Sequence, residues 1–203
     1  HRVDRRQRQM CIRDRYNMNI DFGGIAVDKA FMQAGVNDNV FLESLTYESA
    51  DTGNSVLIKF SSDSGATIQD RIFEPNDRFK GDLSSEEHIQ RQVNSINSKL
   101  RSILTNYVSE EDIVKKFTET KPTSFKDVIK IYEGLVPSNS RDLKGRLFCW
   151  YKSNGYLEVP KFTYATKGNR LFTLNPDVDL EVNPRYSDRM NKPERAEKPE
   201  IDF

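Results

Sequence analysis

Cysteine and histidine are scarce, with two of each in 203 residues. Cys11 and His1 both fall within the first seventeen positions. There, Met10-Cys11-Ile12-Arg13-Asp14 resembles the translation of a transposase adapter used in sequencing libraries. Residues 1–17 are therefore read as a non-native leader, and Met18, followed by Asn19-Ile20-Asp21-Phe22-Gly23-Gly24, as the natural start. Cys149 and His88 are then alone of their kind. An intramolecular disulfide is excluded, and a Cys/His zinc site cannot be assembled. Cys149 reads as a small apolar core residue in mid-strand, and His88 as a solvated residue in the first turn of a helix.

Long apolar runs are also missing. Nothing approaches the roughly 18 residues that a membrane crossing needs, and no signal-peptide pattern is visible. The expectation is a soluble, intracellular chain. An excess of positive charge is lacking too: Lys plus Arg and Asp plus Glu number 31 each. The leader holds six Arg and two Asp, so the rest carries 25 basic and 29 acidic side chains, a net of −4. Attraction to phosphate, if present, must be local to one face. No phosphate-cradling glycine loop, clustered metal ligands or nucleophile–His pair can be found, and Gly23-Gly24 alone is too weak to count. A non-enzymatic protein without a cofactor is expected. A metal-dependent nuclease built from dispersed carboxylates is the enzymatic rival.

What is present is concentrated in residues 146–152, Arg-Leu-Phe-Cys-Trp-Tyr-Lys. As a β-strand, one face carries Leu147, Cys149 and Tyr151, which suits a core. The other carries Arg146, Phe148, Trp150 and Lys152. Rings between cations suit a nucleic-acid strand, with bases stacked on the rings and phosphates met by the charges. The competing reading turns Phe148 and Trp150 into a core or beneath a helix.

Periodicity organises the rest. Residues 36–48 form a first strand, in which Val40 and Leu42 share one face and Leu45 and Tyr47 the next. The phase change near Glu43-Ser44 predicts a bulge or bend. Asp51-Thr52-Gly53-Asn54 is a turn. Residues 55–61 alternate, with Val56, Ile58 and Phe60 opposite Lys59. Residues 66–74 form a third strand, with Ile68 and Ile72 opposite Gln69, Arg71 and Phe73, and Pro75 ends it. Over 84–108 the period changes. Ser84 and Glu87 have capping-box spacing, and Ile89, Val93, Ile96, Leu100, Ile103 and Tyr107 form one helical stripe. Ser109 caps a second helix with Ile113, Val114 and Phe117. Thr123 or Ser124 caps a third with Phe125, Val128, Ile129 and Tyr132. After 146–152, Ser153-Asn154-Gly155 signals a hairpin. The returning strand, 156–165, is interrupted by Pro160, and 170–174 extends the sheet. Residues 184–203 lack apolar periodicity and read as a disordered tail.

Three meander strands, a helical insertion and a hairpin predict a mainly β, α+β chain. The order is that of a five-stranded oligonucleotide-binding (OB) barrel over 18–183, with helices between strands 3 and 4 at about 76–140. The runner-up folds are another small β-barrel and an α+β sheet with helices on one face.

The run Gly35-Val36-Asn37-Asp38-Asn39-Val40 is followed by Val56-Leu57-Ile58-Lys59-Phe60 and Phe73-Glu74-Pro75. Later come Trp150-Tyr151-Lys152-Ser153-Asn154-Gly155-Tyr156 and Val159-Pro160-Lys161-Phe162. Over 35–165 this pattern resembles the single-stranded DNA-binding proteins of tailed bacteriophages, particularly crAss-like phages. Those proteins more often carry aliphatic residues where this chain has Cys149 and Trp150. The resemblance implies a phage replication or recombination protein in the cytoplasm of the host bacterium. The terminal Glu197-Lys198-Pro199-Glu200-Ile201-Asp202-Phe203 is similar to the acidic, Phe-ended tips of bacterial and phage single-strand binding proteins, diluted by Lys192, Arg195 and Lys198. It implies partner docking through Ile201, Asp202 and Phe203, with the ring as apolar plug and the α-carboxylate as acceptor.

The expected interface thus has Phe73, Phe148, Trp150 and Tyr156 stacking on bases. Lys59, Arg71, Arg146, Lys152 and Lys161 meet phosphates. The alternatives in other classes are a protein-binding assembly module built on the same barrel and an RNA-binding protein, since stacking accepts either sugar.

Overall fold

The computed structural model describes residues 31–78, 81–160, 171–180 and 184–193. Six strands and three α-helices follow in order: β1 Gly35–Ala50, β2 Gly53–Ser62, β3 Thr67–Phe73, α1 Ser85–Leu104, α2 Glu110–Thr120, α3 Phe125–Leu135, β4 Gly145–Tyr151, β5 Leu157–Glu158 and β6 Phe172–Thr173. A 3₁₀ helix, Pro184–Met190, follows them. Every strand pairing is antiparallel, and the sheet order is β3-β2-β1-β4-β5. β6 pairs with the first half of β4 through Arg146–Thr173 and Leu147–Phe172, while β5 pairs with its second half.

The long β1 is central and bends twice. Opposite β2 the register passes from Leu42–Phe60 to Ser44–Lys59, leaving Glu43 as the extra residue. That bulge lets Val40 and Leu42 point inward before it and Leu45 after it, as the sequence phase change requires. Opposite β4 a second irregularity lies between Asn37 and Val40. Asn39 there takes φ 55°, a left-handed conformation that asparagine tolerates better than most residues.

The helices start where their caps predict. Ser84 and Glu87 exchange hydrogen bonds with each other's backbone N–H at 3.2 Å, closing a capping box on α1. Ser124 and Asp127 do the same on α3, and Ser109 caps α2. α3 packs on β1 and α1 on β6, and α2 packs against α3. One core joins Leu42, Ile58, Phe60, Leu100, Leu104, Ile129, Leu147 and Phe172. Cys149 lies in it, fully buried, and burial pushes its thiol up to about 12.

The α+β class and the helical insertion are as expected, but the described sheet has six strands and is open. No ladder joins β3 to β5 among the described residues. The returning strand holds only two residues before Pro160, which has no N–H to donate to a ladder. The expected disordered tail also begins too early, since Pro184–Met190 is helical and Met190 packs on the sheet.

The open ends are joined by a side chain. Asp70 sits on the inner face of β3, between Ile68 and Ile72, and is buried. Lys99 rises from the buried stripe of α1, and its Nζ lies 2.5 Å from Asp70 Oδ2. The same ammonium donates to the Val159 carbonyl at 3.1 Å, just beyond β5. Lys99→Met should therefore strand a buried carboxylate and destabilise the fold by about 3–5 kcal/mol. Replacing both partners, Lys99→Met with Asp70→Leu, should recover most of that loss in urea denaturation.

Candidate nucleic-acid interface

The expected interface spans two surfaces, and they fare differently. On the meander, the ladder places Lys59 opposite Gln69, Leu57 opposite Arg71 and Ser55 opposite Phe73, so Lys59, Arg71 and Phe73 share the outer face. The two cations there already have carboxylate partners. Lys59 Nζ lies 2.9 Å from Glu43 Oε1, on the bulge. Ser61 also donates to Glu43, and this bond first, then Lys59 and Arg141, holds that carboxyl below its usual range against the opposing effect of burial. Arg71 Nη2 lies 2.7 Å from Glu48 Oε2. Phe73, by contrast, is 49 % exposed.

On β4 the expectation for the Arg146, Phe148, Trp150 face is corrected. Phe148 and Trp150 are 6 % and 0 % exposed. They form a second, smaller core with Leu180, against which Met190 packs. The indole N–H donates to Glu158 Oε1 at 2.9 Å, and the Arg189 guanidinium lies 4.7 Å above the ring. Arg146 turns its guanidinium to the carbonyls of Pro176 and Val178, both at 2.5 Å. The chain following β6 thus puts apolar cover, a stacked guanidinium and carbonyl acceptors where stacked bases and phosphates were expected. In this arrangement neither ring is open to a base. Lys152 and Tyr156 remain accessible at the hairpin, where Lys152 N–H donates to the Tyr156 carbonyl at 2.8 Å and Tyr156 is 65 % exposed. Lys161, Ile201, Asp202 and Phe203 lie outside the described residues.

A groove gathers the exposed candidates. It holds about 750 Å³ between β3, the N-terminal half of α1 and the β5 edge. Arg71, Phe73, Arg91 and Lys152 line it, and the Lys99–Asp70 pair lies in its wall. Past Phe73 it meets a recess of about 670 Å³ bounded by Gly53, Asn54, Pro75, Arg78 and His88. Both spaces share Phe73, Glu74, Asn76, His88 and Gln92, so the exposed ring stands at their junction. Arg71, Arg78, Arg91, Lys99 and Lys152 face Asp70, Glu74 and Glu158 there. That is a local positive excess in a chain with no overall one. Arg78 and Arg91 make no salt bridge with the described residues.

The amides along the groove are committed within the protein. Asn54 Nδ2 donates to Glu74 at 2.7 Å, and Gln92 Nε2 to the Asn76 carbonyl at 2.6 Å. Such a lining favours stacking and charge over reading of base edges.

Arg78, His88, Arg91 and Lys99 were not among the expected site residues. His88 and Arg91 are one helical turn apart on α1, which places both on its polar face. Their spacing was the available signal, but helical polarity alone does not say what the face borders. His88 is half-buried rather than freely solvated, with Nε2 3.0 Å from the Arg78 carbonyl.

Among the described residues, no group of three His, Cys, Asp or Glu side chains is placed to hold a metal ion, and no helix is long and apolar enough to cross a membrane. No protein-family model, curated protein or solved structure matches the chain.

Trp150→Ala should accordingly act on stability. Removing a fully buried indole should cost about 3–5 kcal/mol, read as a drop in melting temperature.

Proposed function

We propose that the protein binds single-stranded DNA without strong sequence preference and without catalysis, in the groove between β3, α1 and the β5 edge. The observation that carries this reading is the placement of Phe73. It is an exposed ring at the junction of two recesses, flanked by Arg71, Arg91 and Lys152 on one side and Arg78 on the other. Bases present a π-face whatever their identity, and a ring that stacks one base at a time needs the neighbouring bases splayed. A duplex keeps its bases stacked on one another, so this mode selects single strands. Tyr156 and Lys152 extend the path along the β4–β5 hairpin.

The fold supports the same reading. The order β3-β2-β1-β4-β5, with β3 and β5 braced across a gap by Lys99, is compatible with a partly open OB-like barrel. The sequence resemblance to phage single-strand binding proteins is in keeping with a role in phage replication or recombination.

Titration of labelled oligothymidylate, matched RNA and duplex DNA at several salt concentrations tests the proposal. Single-stranded DNA should bind most tightly, with affinity falling as salt rises by about 0.7 log units per log unit of salt for each phosphate neutralised. Phe73→Ala should cost about 1–3 kcal/mol of binding and leave melting nearly unchanged, because the ring is half-exposed. Equal affinity for duplex would contradict the stacking mode. Preference for RNA would transfer the groove to an RNA ligand, and no retention of any strand at low salt would favour a protein-binding module.

A further inference from the structure

Two of the cations on the proposed DNA path are held by the protein's own carboxylates. Arg71 Nη2 lies 2.7 Å from Glu48 Oε2, with the two side chains 46 % and 36 % exposed. Lys152 Nζ lies 3.3 Å from Glu158 Oε2, with the side chains 47 % and 23 % exposed. Neither pair is buried, so neither is needed to satisfy a charge inside the core, and exposed pairs of this kind contribute little to stability. Each carboxylate meets its cation through one oxygen, as a phosphate oxygen would, with the same charge-assisted chemistry.

Glu158 has a second role that ties it to the hidden side of β4. Its Oε1 accepts the indole N–H of Trp150 at 2.9 Å and lies 3.9 Å from Arg189 Nη1. One carboxylate therefore spans the groove-lining Lys152 and the buried tryptophan, which is the only tryptophan in the chain.

We propose that Glu48 and Glu158 are internal counterions that set the affinity of the groove, and that a DNA strand binds by taking Arg71 and Lys152 from them in exchange for its phosphates. The exchange lowers the gain from each phosphate contact, because the cation gives up one anion to meet another. It makes binding weaker, and easier to reverse, than the cation content of the groove implies. It also gives Trp150 a function as a reporter: when Lys152 leaves Glu158, the charge around the indole N–H changes although no base touches the ring. The inference rests on the single-stranded DNA reading above.

The test measures anisotropy of a labelled oligothymidylate across a salt series for the wild type, Glu48→Gln, Glu158→Gln and Glu119→Gln. Glutamine at 158 keeps an oxygen acceptor for the Trp150 N–H, and Glu48 is on the exposed sheet face, so both variants should melt like the wild type. Glu119 is exposed on α2 and does not line the groove, so Glu119→Gln makes the same change in net charge elsewhere. Glu48→Gln and Glu158→Gln should each tighten binding about two- to fivefold at low salt, the range that corresponds to an exposed ion pair. Each should also steepen the salt dependence, by up to about 0.7. Glu119→Gln should do neither. In the wild type, Trp150 emission should shift on saturation with DNA, and in Glu158→Gln that shift should shrink. If the wild type binds but Glu48→Gln and Glu158→Gln leave affinity and salt slope unchanged, or tighten binding no more than Glu119→Gln, the counterion role is wrong while the DNA reading stands. If the wild type binds no single strand, both fall together.

Discussion

One buried ammonium holds the architecture of the groove together. Lys99 projects from the apolar stripe of α1 to meet Asp70 on β3 and the Val159 carbonyl beyond β5. Those two strands are the free ends of the sheet, and strand ends ordinarily carry unpaired backbone groups that invite other chains. Among the described residues the gap is spanned without a ladder. The ion pair fixes how far apart the two ends stand and how α1 sits between them, and those three elements are the walls of the groove. Removing two charges from water is costly, and the attraction between them in a low-dielectric setting compensates only when geometry is good. A pair of this kind is better suited to fixing one arrangement than to adding net stability.

The same economy of charge runs through the surface. Lys59 is paired with Glu43 and Arg71 with Glu48 on the meander, and Lys152 with Glu158 at the hairpin, so both surfaces are less basic than their lysines and arginines suggest. The excess is left at Arg78 and Arg91, on the helical side of the groove. A chain with balanced charge can still present phosphate with a local field, because carboxylates and cations are sorted by element. The exposed ring of Phe73 lies where that field and the two recesses meet.

Much of the fold was legible because it obeys simple periods. The strands of the meander, the three helices and their caps follow from apolar spacing and from Ser84, Ser109 and Ser124. Even the Glu43 bulge was visible, since only an extra residue keeps Leu42 and Leu45 on the same side. The face of β4 was not legible. A strand buried on both sides carries apolar residues on both, so alternation cannot say which side meets solvent. The cover over Phe148 and Trp150 comes from Leu180 and Met190, distant in sequence and in a segment whose composition reads as a tail. The Lys99–Asp70 brace was hidden for a different reason. Each charge lies at a core position, one between Ile68 and Ile72 and the other one turn after Ile96. A lone charge at a core position signals a partner, but the sequence does not name which one. The interruption at Pro160 was legible as well, and among the described residues β5 is two residues long.

We propose that DNA contacts the β3–α1 groove rather than the aromatic face of β4. Photocrosslinking to an oligothymidylate carrying iodouracil, followed by tryptic mapping, tests it most directly. Trypsin cuts after Arg71, Arg78, Arg146 and Lys152, so Phe73, the Phe148–Trp150 pair and Tyr156 fall in separate peptides. Crosslinks should appear in the peptide holding Phe73, with a lesser yield at Tyr156 and none at Phe148 or Trp150. Crosslinks concentrated on Phe148 or Trp150, with Phe73 unmodified, would contradict it.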